Sequence, residues 1–326
     1  MKLQILTPHW HEEPEEITPL LESIALQQSV DFSEVGMIIV YDGDEATPLP
    51  EAEWEEKYPF EIRFIHAPHG GVSAARNAAL DAATADYVMF CDADDCFCHM
   101  CGIYIVFCEI AKGFDTLTSN FTEETRAPGT NAPVYIKHEK DIVFVHGKIH
   151  RREYLVENNI RFNPELTIHE DSYFNILAQN CTQNAKYLPT PFYLWRWRDD
   201  SICRRDPDYI PKTYPQLIDS SDALVDELMR RGLSDRAMTF VCGMVFETYY
   251  TLNTPKWREE RCAKYRAPAE QRLSRYINKH RELWEAVPLE QQMLASNTIR
   301  TRLVGEGMFM EDIAFHDWLK RVEEMK

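Results

Sequence analysis

Apolar residues in the first part of the chain alternate between short continuous runs and stretches with helical spacing. The runs predict buried strands at LQILTP, GMIIVYDGD, FEIRFIHAP and DYVMFCDADD. Between them, EEITPLLESIALQQ has the spacing of an amphipathic helix with acids in its first turn, and GGVSAARNAALDAA predicts a helix that begins at glycines. This alternation predicts an α/β fold with a mostly parallel, doubly wound sheet.

From about Asp115 the pattern becomes mixed. Strands are predicted at FDTLTSNF, VYIKH, DIVFVH and FYLWRWR, and helices at HMCGIYIVFCEIAK, HRREYLVENN and HEDSYFNILAQN. Beyond Arg205 the strand signals fade and helical spacing continues to the last residue. The sequence therefore predicts an α/β domain at residues 1–205 and an all-helical domain at residues 206–326.

The charge and the cysteine content limit the class of protein. The formal net charge of −18 disfavours nonspecific binding to a polyanion, because unneutralised acids repel phosphates. A local basic site stays open, since Lys256 to Arg281 is rich in cations. No apolar run approaches the roughly 18–20 residues that cross a bilayer, and the acids in MKLQILTPHWHEEPEE do not fit a secretory signal. We expect a cytoplasmic protein, at most peripheral to a membrane, whose nine cysteines are reduced.

The stretch FCDADDCFCHMC, Phe90 to Cys101, offers two different sets of metal ligands. Its thiols and histidine form C-x-C-H-x-x-C, but structural zinc usually takes ligands from two separated pairs, and the later cysteines are isolated. The following HMCGIYIVFCEIAK also fits a buried helix, in which a free cysteine packs as a small apolar residue. Core packing is therefore the favoured role of these thiols.

The carboxylates of the same stretch are the better metal candidates. Asp92 and Asp94 flank a small alanine at the end of a predicted strand, and their hard oxygens suit Mg²⁺ or Mn²⁺. Thr7 to His9 and Asp42 to Asp44 end two other predicted strands, so that these polar residues converge on one edge of the sheet. The alternative is an acid-rich surface turn that caps the next helix.

Four ordered blocks carry a resemblance that extends from about residue 3 to residue 205. They are MIIVYDGD, HGGVSAARNAALDAATADYVMFCDADD, GKIHRREYLVENNIRFNPELTIHEDSYFN and FYLWRWRDDSICR. The blocks resemble the family 2 glycosyltransferases, which have the Rossmann-like GT-A fold and use nucleotide-sugar donors. The helical domain lies outside this resemblance.

The resemblance implies a donor site at the edge of the sheet. It assigns Asp92 and Asp94 to a Mn²⁺ or Mg²⁺ ion and the donor diphosphate, with Asp94 the more direct ligand. It assigns the nucleotide-sugar pocket to Thr7, Pro8, His9, Asp42, Arg76, Asp92 and Ala93. One departure concerns the base contact, because the family often has two acids before the glycine, whereas Tyr41 precedes Asp42 here. Asp44 stands where the family usually has serine or threonine.

The resemblance also implies a catalytic base. Asp171, the second acid of HEDSYF, matches the carboxylate that takes the proton of an acceptor hydroxyl during transfer with inversion. Glu170 beside it could orient the base or the acceptor. The alternative is a helix N-terminus that gains favourable dipole energy from two acids.

Several other residues have two interpretations each. The arginines of WRWRDDSICRR could clamp a diphosphate or form a solvated basic face. One histidine near a motif end could complete the metal shell, although a lone histidine is more often structural. Tryptophans could stack on a sugar or base, or pack in the core. The residues concerned are Arg196, Arg198, Arg204 and Arg205, then His9, His146 and His169, and finally Trp10, Trp195 and Trp197.

We therefore expect a metal-dependent inverting glycosyltransferase that uses a UDP-sugar in the synthesis of a cell-surface polysaccharide or polymer. The acceptor stays open among a carbohydrate, a polymer, a lipid-linked sugar, a protein and modified DNA bases. The helical domain could bind the acceptor or form a homo-oligomer. A sugar nucleotidyltransferase is a rival, but LTPHWHEEPEE lacks its usual glycine-rich phosphate loop. A second rival is an inactive nucleotide-binding protein, against which the intact Asp92, Asp94 and Asp171 argue.

Overall fold

The structure is a computed structural model that describes residues 1–199, 201–305 and 315–325. The chain forms two compact units, Met1–Arg198 and Asp199–Lys326. The first unit contains the whole sheet, and the second is helical throughout its described residues. A C-terminal helical region is thus present after an α/β unit, in agreement with the predicted fold class.

The first unit contains nine strands and six α-helices in its described residues. The strands are β1 (Leu3–His9), β2 (Val35–Asp42), β3 (Glu61–Ala67), β4 (Tyr87–Phe90), β5 (Cys96–Phe97), β6 (Thr116–Arg126), β7 (Pro133–His138), β8 (Lys148–Arg151) and β9 (Ala185–Trp195). The helices are α1 (Pro14–Ala25), α2 (Glu51–Lys57), α3 (Gly71–Ala82), α4 (Gly102–Ile110), α5 (Arg152–Glu157) and α6 (Glu170–Asn180), and a short 3₁₀ turn covers Phe32–Glu34.

The strands form one sheet in the order β3-β2-β1-β4-β8-β6-β9-β5, and β7 pairs with the outer part of β6. Parallel pairing joins β1 to β2 and β4, and β2 to β3. Beyond β4 the sheet is mixed, because β8 runs antiparallel to both β4 and β6. Parallel pairing therefore covers β1 to β4, where strand–helix alternation was clear, and occurs again between β6 and β9.

Burial explains the strand pattern in the parallel half. Every residue of β2 is buried, as expected for a central strand that is covered on both faces. Helix α1 buries Ile17, Leu20, Leu21 and Ile24, which pack in the same apolar cluster as Ile39 of β2. Because β1 to β4 are parallel, their carboxyl ends and the loops that follow them lie at one edge of the sheet.

The prediction of a strand at DIVFVH is wrong. These residues form a loop, and strand β8 begins only at Lys148. The Asp141 carboxylate accepts hydrogen bonds from the backbone N–H groups of Val143 and Phe144, at 3.0 and 2.9 Å, which closes a local turn. Gly147 then adopts φ +66°, a left-handed conformation that an extended strand does not contain. Apolar content alone therefore misled the prediction.

The cysteine prediction is correct for one thiol of the stretch and wrong for others. Cys91 is fully buried in the apolar core. Cys98, between β5 and α4, and Cys108 of α4 are exposed, however. All nine cysteines are free thiols.

The second unit contains eight helices in its described residues. They are α7 (Ile202–Arg205), α8 (Tyr209–Arg230), α9 (Ser234–Leu252), α10 (Pro255–Arg258), α11 (Glu260–Lys279), α12 (Arg281–Ala286), α13 (Leu289–Gly305) and α14 (Phe315–Glu323). No helix within the described residues is both long and apolar enough to cross a membrane.

The basic run of the helical unit is largely used for internal ion pairs. Arg272 of α11 pairs with Asp219 of α8, and the Lys279 ammonium lies 2.8 and 2.6 Å from Asp222 and Asp226. These pairs join two packed helices. They weaken the expectation that this run binds a polyanionic acceptor, because paired cations have little net charge to offer.

Candidate functional site

The candidate site lies where β4 ends in the acidic cluster. Strand β4 ends at Phe90, and the chain then turns through Asp92, Asp94 and Asp95 before β5. Because β4 runs parallel to β1, the end of β1 lies beside this cluster at the same edge of the sheet. Residues from α3, α6, β9 and the 141–147 loop approach the cluster from other directions.

A buried arginine joins two carboxylates that are far apart in sequence. Arg76 of α3 is 4% exposed, and its Nη2 donates to Asp92 Oδ1 at 2.7 Å while Nη1 donates to Glu170 Oε1 at 2.8 Å. The guanidinium also lies 5.2 Å from the centre of the Phe162 ring. Burial alone would raise the pKa of Asp92, but Arg76 and His146 hold it well below its usual value. Asp92 is therefore ionised throughout the physiological range.

Asp95 is the most deeply buried acid of the cluster. The Tyr193 hydroxyl of β9 donates to Asp95 Oδ2, and the backbone N–H of Arg196 donates to Asp95 Oδ1 at 2.9 Å. Burial and the neighbouring Asp94 and Asp92 carboxylates raise the pKa of Asp95 well above its usual value. Nothing in D-A-D-D distinguishes an inward side chain from an outward one, so the burial of Asp95 could not be predicted from the motif.

His146 completes the cluster from the opposite side. Its Nε2 lies 3.7 Å from Asp92 Oδ2 and 3.8 Å from Asp95 Oδ2. The ring is fixed between Phe144, at a centroid distance of 5.3 Å, and Tyr193, at 4.8 Å. Burial lowers the pKa of His146 despite the nearby Asp92, so the neutral imidazole is favoured. A neutral imidazole is the form that binds a metal.

The carboxylates of FCDADDCFCHMC, and not its thiols, converge in a group that could hold a metal. Asp92, Asp95 and His146 place one ligand atom each within 4.8 Å of one another, whereas no thiol takes part in such a group among the described residues. A second group, Asp222, Asp226 and His280, lies in the helical unit. There the Lys279 ammonium already lies between the carboxylates, so this group is a structural ion cluster.

Asp94, the predicted direct metal ligand, lies beside the cluster and contacts arginines from the end of β9. Arg198 Nη1 is 3.2 Å from Asp94 Oδ2, and its Nη2 is 2.9 Å from Glu16 Oε1. The Arg196 guanidinium donates to the Asp94 carbonyl at 3.0 Å. Burial and Asp92 raise the pKa of Asp94 to about 6, although Arg198 opposes the shift. The role of Asp94 as a metal ligand stays a prediction.

The predicted base lies at the start of α6, next to the arginine bridge. The carboxylate of Asp171 accepts a hydrogen bond from the Ser172 N–H at 2.8 Å. Burial and the adjacent Glu170 raise the pKa of Asp171 to about 7, against the attraction of Arg76. A carboxylate with this pKa is suited to accept a proton near neutral pH.

The predicted nucleotide-pocket residues do not all offer free polar atoms. Asp42 accepts hydrogen bonds from the N–H groups of Gly70 and Gly71 at the N-terminus of α3, at 2.7 and 3.0 Å. Both ring nitrogens of His9 are engaged, by Glu12 and by the Thr47 carbonyl. The Thr7 hydroxyl is buried and finds no hydrogen-bond partner within the described part of the chain. Pro8 lies near the end of β1 and Ala93 in the turn after β4, and the binding roles of the whole set stay predictions.

The sequence pattern did not single out three residues of the cluster, His146, Asp95 and Tyr193, as parts of one site. The signal for His146 was weak because its segment was read as a strand rather than as a loop. Tyr193 follows a bulge in the pairing of β6 with β9, which no local pattern announces. Arg204 belongs to the second unit, the Arg205 side chain lies outside the described residues, and the roles of both stay predictions.

Comparison with known proteins identifies the N-terminal region. The sequence model described as glycosyl transferase family 2 matches residues 5–102. The uncharacterized glycosyltransferase EpsJ of Bacillus subtilis is 26% identical over 221 residues, which cover 61% of this chain and 62% of EpsJ. The putative glycosyltransferase EpsH of the same organism is 26% identical over 228 residues, covering 65% of each chain. The chain thus spans less than two thirds of the length of these relatives.

Solved structures support the fold. The crystal structure of S. aureus TarS has a TM-score of 0.61 and 17% identity, covering 99% of this chain and 55% of TarS. The structure of TarS 1–349 in complex with UDP has a TM-score of 0.53 and 19% identity, covering 90% and 77%. The GT-A-like fold class predicted from the sequence is confirmed by this likeness. Residues 5–102 therefore match the glycosyl transferase family 2 model, and the relatives that are similar in sequence are named as glycosyltransferases.

Proposed function

We propose that this protein is a metal-dependent, inverting glycosyltransferase that moves a sugar from a nucleotide-sugar to an acceptor hydroxyl. The observation that carries the proposal is the single buried network that joins Asp92 to Glu170 through Arg76, with Asp171 adjacent. Asp92 belongs to the motif assigned to the donor, and Asp171 to the position of the base. Such a network supports the proposal, because a transfer reaction needs its donor site and its base close to one pair of substrates.

The residues present fit a divalent cation. Two carboxylates and one imidazole converge, and burial together with the neighbouring carboxylates raises the pKa values of Asp94 and Asp95. Asp92, Asp95 and His146 would hold the ion, with Asp94 as the further ligand that the sequence motif suggests. Mn²⁺ or Mg²⁺ bound there would neutralise charge on the departing nucleoside diphosphate.

The protein's own part of the chemistry is proton transfer and positioning. The Asp171 carboxylate takes the proton of the acceptor hydroxyl as that oxygen forms a bond to the anomeric carbon of the donor. The bond from that carbon to the diphosphate oxygen breaks, and the electron pair leaves with the diphosphate. Glu170 is held by Arg76, so that its negative charge raises the proton affinity of Asp171.

The names of similar proteins support a proposal for the donor and the pathway. TarS has been crystallised in complex with UDP and with UDP-GlcNAc. A succinoglycan biosynthesis protein of Rhizobium meliloti, ExoM, is 41% identical over 61 residues, which cover 18% of this chain and 19% of ExoM. We infer a UDP-sugar donor and an acceptor in a cell-surface polysaccharide or polymer.

Product analysis tests this proposal. The purified protein is incubated with Mn²⁺ and a panel of UDP-sugars, and UDP release is measured with and without EDTA. We expect metal-dependent UDP release that Asp171→Asn reduces. Release of pyrophosphate from a nucleoside triphosphate and a sugar phosphate, without UDP release, would identify a sugar nucleotidyltransferase instead. Binding of UDP with no turnover of any donor would identify an inactive nucleotide-binding protein.

A further inference from the structure

A single buried tyrosine contacts all three residues of the candidate cation site. Tyr193 of β9 is fully buried, and its hydroxyl group donates a hydrogen bond to Asp95 Oδ2. The same hydroxyl oxygen accepts a hydrogen bond from the backbone N–H of Asp92 at 3.3 Å. The tyrosine ring is stacked on the His146 ring, with a centroid distance of 4.8 Å and an interplanar angle of 17°. Tyr193 therefore touches each of the three residues through a different kind of contact.

The end of β9 holds the Asp95 carboxylate by both of its oxygens. Tyr193 donates to Oδ2, and the backbone N–H of Arg196 donates to Oδ1 at 2.9 Å. In this orientation Asp95 Oδ2 lies 3.8 Å from His146 Nε2. A carboxylate oxygen has two lone pairs, so Oδ2 can accept the tyrosine hydrogen bond and still bind a cation. The direction of Asp95 toward the cation therefore depends on the Tyr193 hydroxyl group.

The imidazole of His146 is oriented by ring packing rather than by a hydrogen bond. Its Nδ1 is buried and has no hydrogen-bond partner within the described part of the chain. A histidine that binds a metal usually donates its second N–H to a carboxylate or a carbonyl, which fixes the ring. Here the rings of Tyr193 and Phe144 stack on the imidazole, and the Phe121 ring meets it at an angle of 80°. These rings therefore set the direction of Nε2.

Tyr193 reaches this position because of an irregularity in the sheet. Ser119 of β6 is paired with Leu188 of β9. In regular pairing Phe121 would lie opposite Thr190, two residues after Leu188, but it lies opposite Tyr193, so β9 has three extra residues here. Bulges of this kind redirect side chains near functional sites. The extra residues therefore bring a tyrosine to the place where a regular strand would have a threonine.

We propose that Tyr193 is a positioning residue for the divalent cation, and that its hydroxyl group orients Asp95 and so determines how tightly the site binds the ion. The proposal rests on the proposed function, because it assumes that Asp92, Asp95 and His146 hold this cation. Tyr193 acts through Asp95 and is not itself a ligand, since its hydroxyl group donates to the carboxylate. Loss of such an outer partner typically weakens metal binding by about 10–100-fold.

Tyr193→Phe tests this role, because it retains the ring that stacks on His146 and removes only the hydroxyl group. We expect Mn²⁺ to bind about 10–100-fold more weakly, as measured by electron paramagnetic resonance without any donor. Tyr154→Phe is the matched control, because Tyr154 is 3% exposed and its hydroxyl group donates to the Ala178 carbonyl at 2.5 Å. Both variants lose one buried hydrogen bond. Unchanged Mn²⁺ affinity in Tyr193→Phe, or an equal loss in both variants, would overturn the proposal.

Combination with Asp95→Asn tests whether Tyr193 acts through Asp95. We expect Tyr193→Phe to weaken Mn²⁺ binding much less in the Asp95→Asn protein, because the carboxylate that the hydroxyl group orients is already absent. Additive losses would overturn the proposal. Pulsed electron paramagnetic resonance detects the nitrogen of His146 on bound Mn²⁺, and we expect this signal to persist in Tyr193→Phe. Its disappearance would show that the hydroxyl group acts on His146 instead, which would also overturn the proposal.

Urea unfolding with and without Mn²⁺ separates failure of this role from failure of the proposed function. A cation that binds only the folded protein raises its stability, so this measurement gives an affinity even for a destabilised variant. Absence of Mn²⁺ stabilisation in the unsubstituted protein would remove the cation site and the metal dependence of the proposed function. Equal Mn²⁺ stabilisation of Tyr193→Phe and Tyr154→Phe would remove the role of Tyr193 alone, and UDP release would still test the proposed function.

Discussion

Arg76 donates to Asp92 at 2.7 Å from a position that is almost completely buried. The same guanidinium holds Glu170, so α3 connects the acidic motif to the helix that begins with Glu170 and Asp171. We expect Arg76→Met to lower the free energy of unfolding by about 3–5 kcal/mol, because it leaves buried charges without a partner. Urea unfolding measures this change.

A second substitution separates charge from geometry at this position. Arg76→Lys keeps the cation but cannot reach both carboxylates with a planar fork. We expect it to recover part of the stability and little of the UDP release. Equal activity of Arg76→Lys and the unsubstituted protein would show that the bridge between Asp92 and Glu170 is dispensable.

Removal of the proposed base should separate donor binding from transfer. We expect Asp171→Asn to keep the affinity for UDP and to reduce transfer by about 10²–10⁴-fold, the usual contribution of a positioned base. Calorimetric UDP binding and single-turnover rates measure the two effects. Glu153→Gln is a suitable control, because Glu153 is an exposed acid on α5 of the same unit. If Asp171→Asn lost UDP affinity to the same extent as it lost transfer, the assignment of Asp171 as the base would be contradicted.

The pH dependence of transfer should report the ionisation of Asp171. Its pKa is raised to about 7, and only the ionised carboxylate can accept a proton. The rate at saturating donor should therefore rise about tenfold per pH unit below 7 and level off above it. The rate of Asp171→Asn should lack this dependence. A profile that is flat from pH 5 to 8 in the unsubstituted protein would count against Asp171.

Metal affinity should identify the ligands of the cation. We expect His146→Ala and Asp95→Asn to weaken Mn²⁺ binding by at least the roughly 10–100-fold that the loss of an outer partner of a metal ligand costs. Electron paramagnetic resonance of Mn²⁺ measures free and bound ion directly. Asp94→Ala tests the ligand that the motif predicts, and we expect it to abolish metal-dependent UDP binding.

The exposed thiol is the control for the metal measurement. Cys98→Ser should leave Mn²⁺ affinity unchanged and alter stability at most, because Cys98 belongs to no group of convergent ligands among the described residues. If the ion were lost in Cys98→Ser but retained in the aspartate variants, the assignment of the metal to carboxylates would be reversed.

Gly147 fixes the loop that carries His146. Its φ is +66°, and a Cβ atom there would lie 2.3 Å from the Ser119 hydroxyl oxygen. We expect Gly147→Ala to cost about 1–3 kcal/mol of stability through backbone strain and to weaken Mn²⁺ binding. Gly113→Ala is the matched control, because Gly113 has φ +71° with open space around its Cβ position. Equal metal affinity in both variants would show that His146 tolerates the displacement.

The sequence by itself determined the parallel half of the sheet and the place of the acidic motif. Strands β1 to β4 are short runs of apolar residues between amphipathic helices, and a local period is enough to recognise such units. The acids of the motif follow β4 directly, so their position at the strand end needs no tertiary information. The order of the four motif blocks indicated the resemblance to the family 2 glycosyltransferases.

Only the tertiary structure decided which acids converge and what joins them. Arg76, Asp92 and Glu170 span 94 positions along the chain, and their contacts depend on how α3 and α6 pack on the sheet. The loop that delivers His146 is as apolar as a strand, and its turn is made by one carboxylate and one left-handed glycine. Local patterns record burial and period, but side-chain convergence depends on packing between distant segments, which no local pattern contains.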